Sequence, residues 1–76
     1  MTLSQAKTGK IYRIHHIELE NPAAGRLRML GMTEGAVIKV IGRKISGAVI
    51  VRTRGTRLAL GRRFAESIFI GGNRSE

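Results

Sequence analysis

Four side chains in the first half of the chain have the chemistry to bind a metal: His15, His16, Glu18 and Glu20. Imidazole nitrogens and carboxylate oxygens are ligands that divalent transition metals accept. The surrounding residues predict a β-strand, and successive side chains of a strand point to opposite faces, so His15 lies away from His16 and Glu18. The chain contains two histidines in all, so no third imidazole can complete a ligand set. We interpret the group as an exposed polar strand end and assign no metal site.

Groups that could carry out catalysis are scarce. The sequence has no Asp and no Cys, and it shows no Ser/His/acid spacing. Its glycines fall singly at turns, and Arg54-Gly55-Thr56 is not a phosphate-binding loop. The absence of cysteine excludes disulfides and thiolate metal sites and fits a reducing cytoplasm. No secretory signal or membrane-spanning run is visible. The sequence therefore predicts a non-catalytic cytoplasmic protein without a cofactor.

Basic residues are numerous and unevenly distributed. Fourteen Lys and Arg stand against five acidic residues, for a net charge of +9. Strand alternation predicts that Arg52, Arg54 and Arg57 face outward with Lys39 beside them. Together with the basic residues at the strand ends they are candidates for one positive face: Arg43, Lys44, Arg62 and Arg63. Such a face suits an acidic protein surface, anionic lipid headgroups or nucleic-acid phosphate. The pattern agrees equally well with a solvated basic surface that only favours solubility.

The aromatic residues bear on the nucleic-acid alternative. Tyr12, Phe64 and Phe69 are the aromatic side chains of the chain, and none lies within the basic strands. Proteins that bind single strands stack bases on several aromatic side chains. Binding of phosphate without sequence preference is the form of nucleic-acid recognition that remains open.

One short helix is predicted before the basic strands. Asn21 is an N-cap residue, Pro22 favours the first turn, and Gly31 can take the positive φ that ends a helix. The helix should run from Pro22 to Leu30, with Ala23, Leu27 and Leu30 facing the core. Leu27, Met29 and Met32 form the edge of this helix and are the predicted apolar contacts for a partner, since methionine adapts to irregular surfaces.

The rest of the chain predicts short strands joined by glycine turns. The strands are 10–17, 36–42, 48–54, a segment after Gly55 that ends before Gly61, and 67–70, with a helical turn at 62–65. This pattern indicates a mainly β fold, a small SH3-like barrel of about five strands with one short α-helix. We expect residues 1–8 to be flexible, 9–70 to form the domain and 71–76 to be disordered. Apolar side chains opposite the core leave self-association open: Val37, Ile41, Ile50 and Phe69.

Several motifs in order resemble those of a known family. They are Arg26-Leu27-Arg28-Met29-Leu30-Gly31-Met32-Thr33-Glu34-Gly35, then Ile38-Lys39-Val40, then Val51-Arg52-Thr53-Arg54-Gly55-Thr56-Arg57-Leu58-Ala59-Leu60, and a close at Ala65-Glu66-Ser67-Ile68. Their order and spacing resemble the FeoA family, the small ferrous iron transport protein A, over roughly residues 9–70.

The resemblance implies a partner and a place in the cell. It implies an SH3-like barrel of the bacterial cytoplasm that assists FeoB, an Fe(II) transporter with a cytosolic GTP-binding domain. On this interpretation the chain is a non-catalytic accessory module, peripheral at the inner membrane only through that partner. Arg52, Arg54 and Arg57 would supply electrostatic attraction, and Leu27, Met29 and Met32 apolar anchoring. The alternative function is a small basic β-barrel that binds RNA or DNA phosphate.

Overall fold

Five antiparallel strands and two short helices make up a mainly β fold. The computed structural model describes residues 1–74, with side chains to Gly71. The strands form one sheet in the order β4-β3-β2-β1-β5. The elements are a 3-10 helix Leu3–Gln5, β1 Ile11–Ile17, α1 Ala23–Met29, β2 Val37–Arg43, β3 Val49–Thr53, β4 Thr56–Leu60, α2 Arg62–Ser67 and β5 Ile68–Arg74.

Alternation along the central strands separates core from surface as the sequence predicted. In β2, Ile38 and Val40 are buried while Lys39 between them is exposed. In β3, Val49 and Val51 are buried. Branched aliphatic side chains pack well on a pleated surface that is covered on one face. The fully buried core contains Leu3, Ala6, Tyr12, Ile14, Leu27, Met32, Ile38, Val40, Val49, Val51, Leu60, Ala65, Ile68 and Ile70.

A two-residue turn joins β3 to β4. Arg54 has φ 53° and Gly55 has φ 75°, so both central residues adopt the left-handed region. This geometry matches the right-handed twist of the flanking strands. Thr53 and Thr56 pair directly across the turn. The glycine at position 55 was therefore a correct signal for a tight hairpin, whereas Arg54 takes a positive φ that non-glycine residues adopt uncommonly.

The end of α1 corrects the predicted inward face of the helix. Gly31 has φ +87°, the Gly31 N–H donates to the Arg28 carbonyl at 3.1 Å, and the Met32 N–H donates to the Leu27 carbonyl at 2.9 Å. These two bonds define a Schellman cap, whose usual hydrophobic contact joins the residue after the glycine to the last turn of the helix. Met32 is accordingly buried and Leu30 is 48% exposed. The prediction that Leu30 faces the core was wrong because the reversal at Gly31 brings Met32 inward instead.

The N-terminal segment is part of the core, which corrects the prediction that residues 1–8 are flexible. Leu3 and Ala6 are buried. The Ile70 N–H donates to the Met1 carbonyl at 2.8 Å, so the segment lies along the free edge of β5. The Lys7 N–H donates to Tyr12 Oη at 3.0 Å. The segment is short and has no periodic pattern, so its docking depends on contacts with residues distant in sequence.

The last strand is longer than predicted. We expected order to end at Gly71, but β5 continues to Arg74 and pairs with β1 at Arg13 opposite Gly71 and Ile11 opposite Arg74. The open edge of β1 supplies hydrogen-bond partners for this glycine-containing stretch, which outweighs its poor strand propensity. Residues 75–76 of the predicted tail lie outside the described residues. Neither α1 nor α2 is long and apolar enough to cross a bilayer.

Candidate partner-binding surface

Three basic side chains form a row across the outer face of the sheet. Lys39 of β2 pairs with Arg52 of β3, and Arg52 pairs with Arg57 of β4. All three are exposed. Residues directly opposite each other in a sheet have Cβ atoms about 5 Å apart, and like charges at that spacing destabilise the sheet. The strand register therefore brings together three positive charges that lie far apart in the sequence.

No carboxylate neutralises this row within the described part of the chain. The ion pairs among the side chains of residues 1–71 are His16 with Glu18, His16 with Glu34, and Arg62 with Glu66. Of the acidic residues that the structure describes, Glu18, Glu34 and Glu66 therefore form ion pairs away from the row, and Glu20 forms none. The repulsion among these three cations is not offset within the described residues, and an acidic partner would reduce it.

Arg54 connects the basic row to the end of α1. A Cβ placed on Gly31 would lie 3.5 Å from Arg54 Cδ, so the aliphatic part of Arg54 rests on this glycine. The hairpin turn and the C-terminal end of the helix are therefore neighbours in space. Arg52 and Arg57 flank this turn in β3 and β4, and Met29 and Leu30 end the helix, so Arg54 is the point at which the two groups meet. We call these five residues, together with Lys39, the docking surface.

The apolar part of the docking surface differs from the prediction. Met29 is 89% exposed and is available to a partner. Leu27 and Met32 are buried in the core of this chain, so neither can anchor a partner. The helical repeat was equally consistent with Leu27 facing the core. Met32 is buried because the Schellman cap turns it inward. Leu30, which the sequence analysis assigned to the core, takes the exposed position beside Met29.

The polar strand end forms an ion-pair cluster that includes a residue the sequence analysis did not associate with it. His16 Nε2 lies 2.5 Å from Glu18 Oε1, and His16 Nδ1 lies 3.3 Å from Glu34 Oε2. Glu34 belongs to the turn before β2, so no local pattern connects it with His16. The His15 ring lies over Gly71 instead, in the space that a side chain at position 71 would occupy. Among residues 1–74, no three His, Cys, Asp or Glu side chains are arranged to hold a metal ion.

We predict that His16 keeps its proton to a higher pH in this protein than an isolated histidine does. The hydrogen bond with Glu18, and then that with Glu34, raises the pKa of His16 above its ordinary value of 6.5. Both ring nitrogens can donate to carboxylates only in the imidazolium form. A raised pKa in the folded state means that the cluster stabilises the fold below pH 6.5 and that this contribution is lost as pH rises through the raised value.

An NMR titration of the His16 ring checks this prediction. We expect the midpoint to exceed 6.5 and to fall in Glu18→Gln, with a smaller fall in Glu34→Gln. A midpoint at or below 6.5 in the unaltered protein would show that these exposed contacts do not persist in solution.

An open cleft of about 700 Å³ lies on another side, between the β1–α1 connection and α2. Its lining combines the apolar Ile17, Leu19 and Phe64 with the charged Glu20 and Arg63. Ser67 also lines the cleft, and its hydroxyl donates to the Arg63 carbonyl at 2.9 Å rather than to a side-chain base of the kind that activates a nucleophile.

The fold and the charged surface together define a class of protein: a small SH3-like module of five antiparallel strands with a basic outer face. A family model described as the FeoA domain matches residues 1–71. The chain therefore belongs to the FeoA family, whose members are small accessory domains associated with ferrous iron transport. The match includes the N-terminal segment that the sequence analysis placed outside the domain.

Solved structures support the same assignment. The FeoA protein from Chlorobium tepidum is 31% identical, with 92% of this chain and 68% of that chain covered and a TM-score of 0.84. An iron uptake regulatory protein (FeoA) is 27% identical, with 92% of each chain covered and a TM-score of 0.81.

Stenotrophomonas maltophilia FeoA, complexed with zinc and described as a prokaryotic SH3 domain protein, is 25% identical, with 93% of this chain and 89% of that chain covered and a TM-score of 0.78. These neighbours confirm the predicted SH3-like fold. A search of curated proteins finds no match.

Proposed function

We propose that this protein is a non-catalytic accessory module of bacterial ferrous iron uptake that docks to the cytosolic GTP-binding part of the FeoB transporter. The observation that carries the proposal is the unneutralised row Lys39, Arg52 and Arg57, with Arg54 beside it packed on Gly31 at the end of the helix that carries the exposed Met29. Membership of a family associated with ferrous iron transport supports the choice of partner. The site offers electrostatic attraction beside an apolar contact, which is how many interfaces combine fast association with affinity.

Regulation of the transporter requires more than attachment. A module shifts the equilibrium between two states of its partner only when it binds those states with different affinities. We therefore expect affinity for the transporter's cytosolic domain to differ between its GTP-bound and GDP-bound forms. Equal affinity for both forms would make the protein a scaffold.

Reversing one charge in the row tests the docking surface. Arg52→Glu should weaken binding to the isolated cytosolic domain of FeoB about tenfold or more, because it replaces attraction by repulsion at the centre of the row. Isothermal titration calorimetry at two salt concentrations measures the effect, and the loss should be smaller at high salt because ions screen exposed charges.

Lys7→Glu is the matched control, since it makes the same change in net charge at an exposed residue outside the docking surface. Equal weakening by Arg52→Glu and Lys7→Glu would mean that net charge alone acts, and the docking surface would be wrong.

Binding of RNA or DNA phosphate is the second candidate function, and the same basic row favours it. The aromatic side chains argue against base stacking: Tyr12 is buried, and Phe64 and Phe69 are partly buried. Phosphate binding through the row would fall steeply with salt and would not depend on base sequence. A labelled single-stranded RNA in place of the FeoB domain distinguishes the two functions. Tight, salt-sensitive binding of RNA without binding of the FeoB domain would favour this second function.

A further inference from the structure

The loop between β2 and β3 holds one isoleucine fully in water. Ile45 has a relative exposure of 109%, the highest of the exposed large hydrophobic residues. The loop is an ordered turn: the Lys44 N–H donates to the Ala48 carbonyl at 2.9 Å, and the Gly47 N–H donates to the Lys44 carbonyl at 2.9 Å. Internal hydrogen bonds therefore hold Ile45 at the tip rather than letting it fold back onto the core.

Two basic side chains lie beside this loop. A Cβ on Gly47 would lie 2.9 Å from Arg62 Cδ, so the stem of Arg62 packs directly against the loop. Gly47 also has φ +99°, and a side chain there would meet both strain and this arginine. Lys44 precedes Ile45 in the chain. We call Lys44, Ile45 and Arg62 the loop end.

Further contacts make the loop end a fixed platform. The Arg43 guanidinium donates to the Ser4 carbonyl at 2.6 Å and also to the Ala6 carbonyl, which ties the start of the loop to the N-terminal segment. Glu66 is the acidic residue of α2, and it is occupied by Arg62 at 3.2 Å. The loop end thus presents a fixed apolar tip beside two basic side chains, Lys44 and Arg62, the second of which is paired with Glu66.

We propose that the loop end binds the surface of an anionic lipid bilayer, with Ile45 inserted at the boundary between headgroups and acyl chains. Peripheral binding to membranes combines buried apolar area with attraction of Lys and Arg to anionic headgroups. A single protruding apolar side chain with basic residues beside it matches a layer of anionic headgroups that covers an apolar interior. The net charge of +9 adds attraction at longer range.

The position of the loop end makes this contact independent of the docking surface. β2 runs from Val37, beside the hairpin turn that carries Arg54, to Arg43 at the start of the loop. A strand of seven residues spans about 20 Å, so the two surfaces lie at opposite ends of the sheet. The protein can contact lipid and a protein partner at the same time. The sequence analysis expected membrane contact only through the partner, and the loop end supplies a direct one.

Vesicle sedimentation in the absence of any other protein tests the proposal. The full chain should bind vesicles of phosphatidylcholine that contain about one third phosphatidylglycerol and should not bind vesicles of phosphatidylcholine alone. Ile45→Asp should reduce the partition coefficient about tenfold or more, because it removes the apolar tip and adds repulsion.

Val37→Asp is the matched control, since Val37 is a β-branched residue, 47% exposed, at the far end of β2. It changes net charge equally and should reduce partitioning less than about threefold. Far-UV circular dichroism confirms that both variants fold. Equal losses in the two variants would mean that charge alone drives binding, and would overturn the proposal.

Fluorescence provides a second readout that does not depend on weakened binding. The chain contains no Trp, so Ile45→Trp introduces a single reporter at the tip. We expect its emission to shift to shorter wavelength with anionic vesicles, since tryptophan favours the membrane interface. An unshifted emission would overturn insertion. A second outcome would also overturn the proposal: Ile45→Asp binds vesicles as before but binds the FeoB cytosolic domain more weakly. That result would assign the loop to a protein partner.

Discussion

Leu27→Ala should destabilise the domain by about 2–5 kcal/mol, whereas Met29→Ala should change stability by less than about 0.5 kcal/mol. The two residues are two positions apart in α1, yet Leu27 is 2% exposed and Met29 is 89% exposed. Truncating Leu27 leaves a cavity in a core that cannot fully collapse, while truncating Met29 removes contacts with water. Thermal unfolding followed by circular dichroism measures both effects, at about 4–8 °C per kcal/mol for a domain of this size.

The same pair of variants should act in the opposite order on partner binding. Met29→Ala removes the most exposed apolar side chain of the docking surface and should weaken binding to the FeoB cytosolic domain, whereas Leu27→Ala should leave it nearly unchanged at temperatures where the domain is folded. Comparable destabilisation by both substitutions would mean that α1 packs differently from the arrangement described above. Retained binding in Met29→Ala would remove Met29 from the docking surface without affecting the stability result.

Removal of residues 1–8 should cost most of the stability of the domain. A chain of 76 residues is stable by roughly 4–11 kcal/mol, and loss of a buried leucine side chain alone costs about 2–5 kcal/mol. The deletion removes Leu3 and Ala6 from the core, and it also removes the Lys7 N–H that donates to the buried Tyr12 hydroxyl. Urea unfolding of the truncated and full chains gives the difference in free energy.

Point substitutions separate the core contact from the general effect of truncation. Leu3→Ala should destabilise by about 2–5 kcal/mol, and Thr8→Ala, at an exposed position in the same segment, should have little effect. A truncated chain that unfolds at the same urea concentration as the full chain would show that the segment lies on the surface without stabilising it, as the sequence analysis assumed.

Local patterns in the sequence predicted most of the elements. The strand that begins the domain, the pair of central strands and the hairpin at Gly55 lie within about one residue of their predicted bounds, and α1 occupies Ala23–Met29 against the predicted 22–30. These elements depend on signals within a few residues: alternation of Ile and Val with charged residues, and glycines at positions of positive φ. Asn21 was the exception, since no side-chain cap bond forms and Pro22 takes the N-cap position.

The errors share a physical cause, which is dependence on contacts far apart in sequence. Residues 1–8 pack because the free edge of β5 and the helix α2 lie against them, and no pattern in those eight residues indicates this contact. The stretch after Gly71 forms a strand because β1 supplies its hydrogen-bond partners. The contact between His16 and Glu34 joins positions 18 residues apart. The sequence shows that Ile45 lies next to basic residues, but its full exposure depends on the hydrogen bonds that close the turn between Lys44 and Ala48.

The sequence by itself determined the class of the protein. Its composition excludes thiol chemistry, its alternation and glycine turns specify a small mainly β domain, and its motifs in order identify the FeoA family. The tertiary structure decided which residues of the proposed surfaces are available. Leu27 and Met32 are buried in the core, whereas Met29 and Leu30 are exposed. Arg54 packs on Gly31 at the end of α1. Burial depends on which surfaces meet when distant elements pack, whereas turn and strand signals act within a few residues.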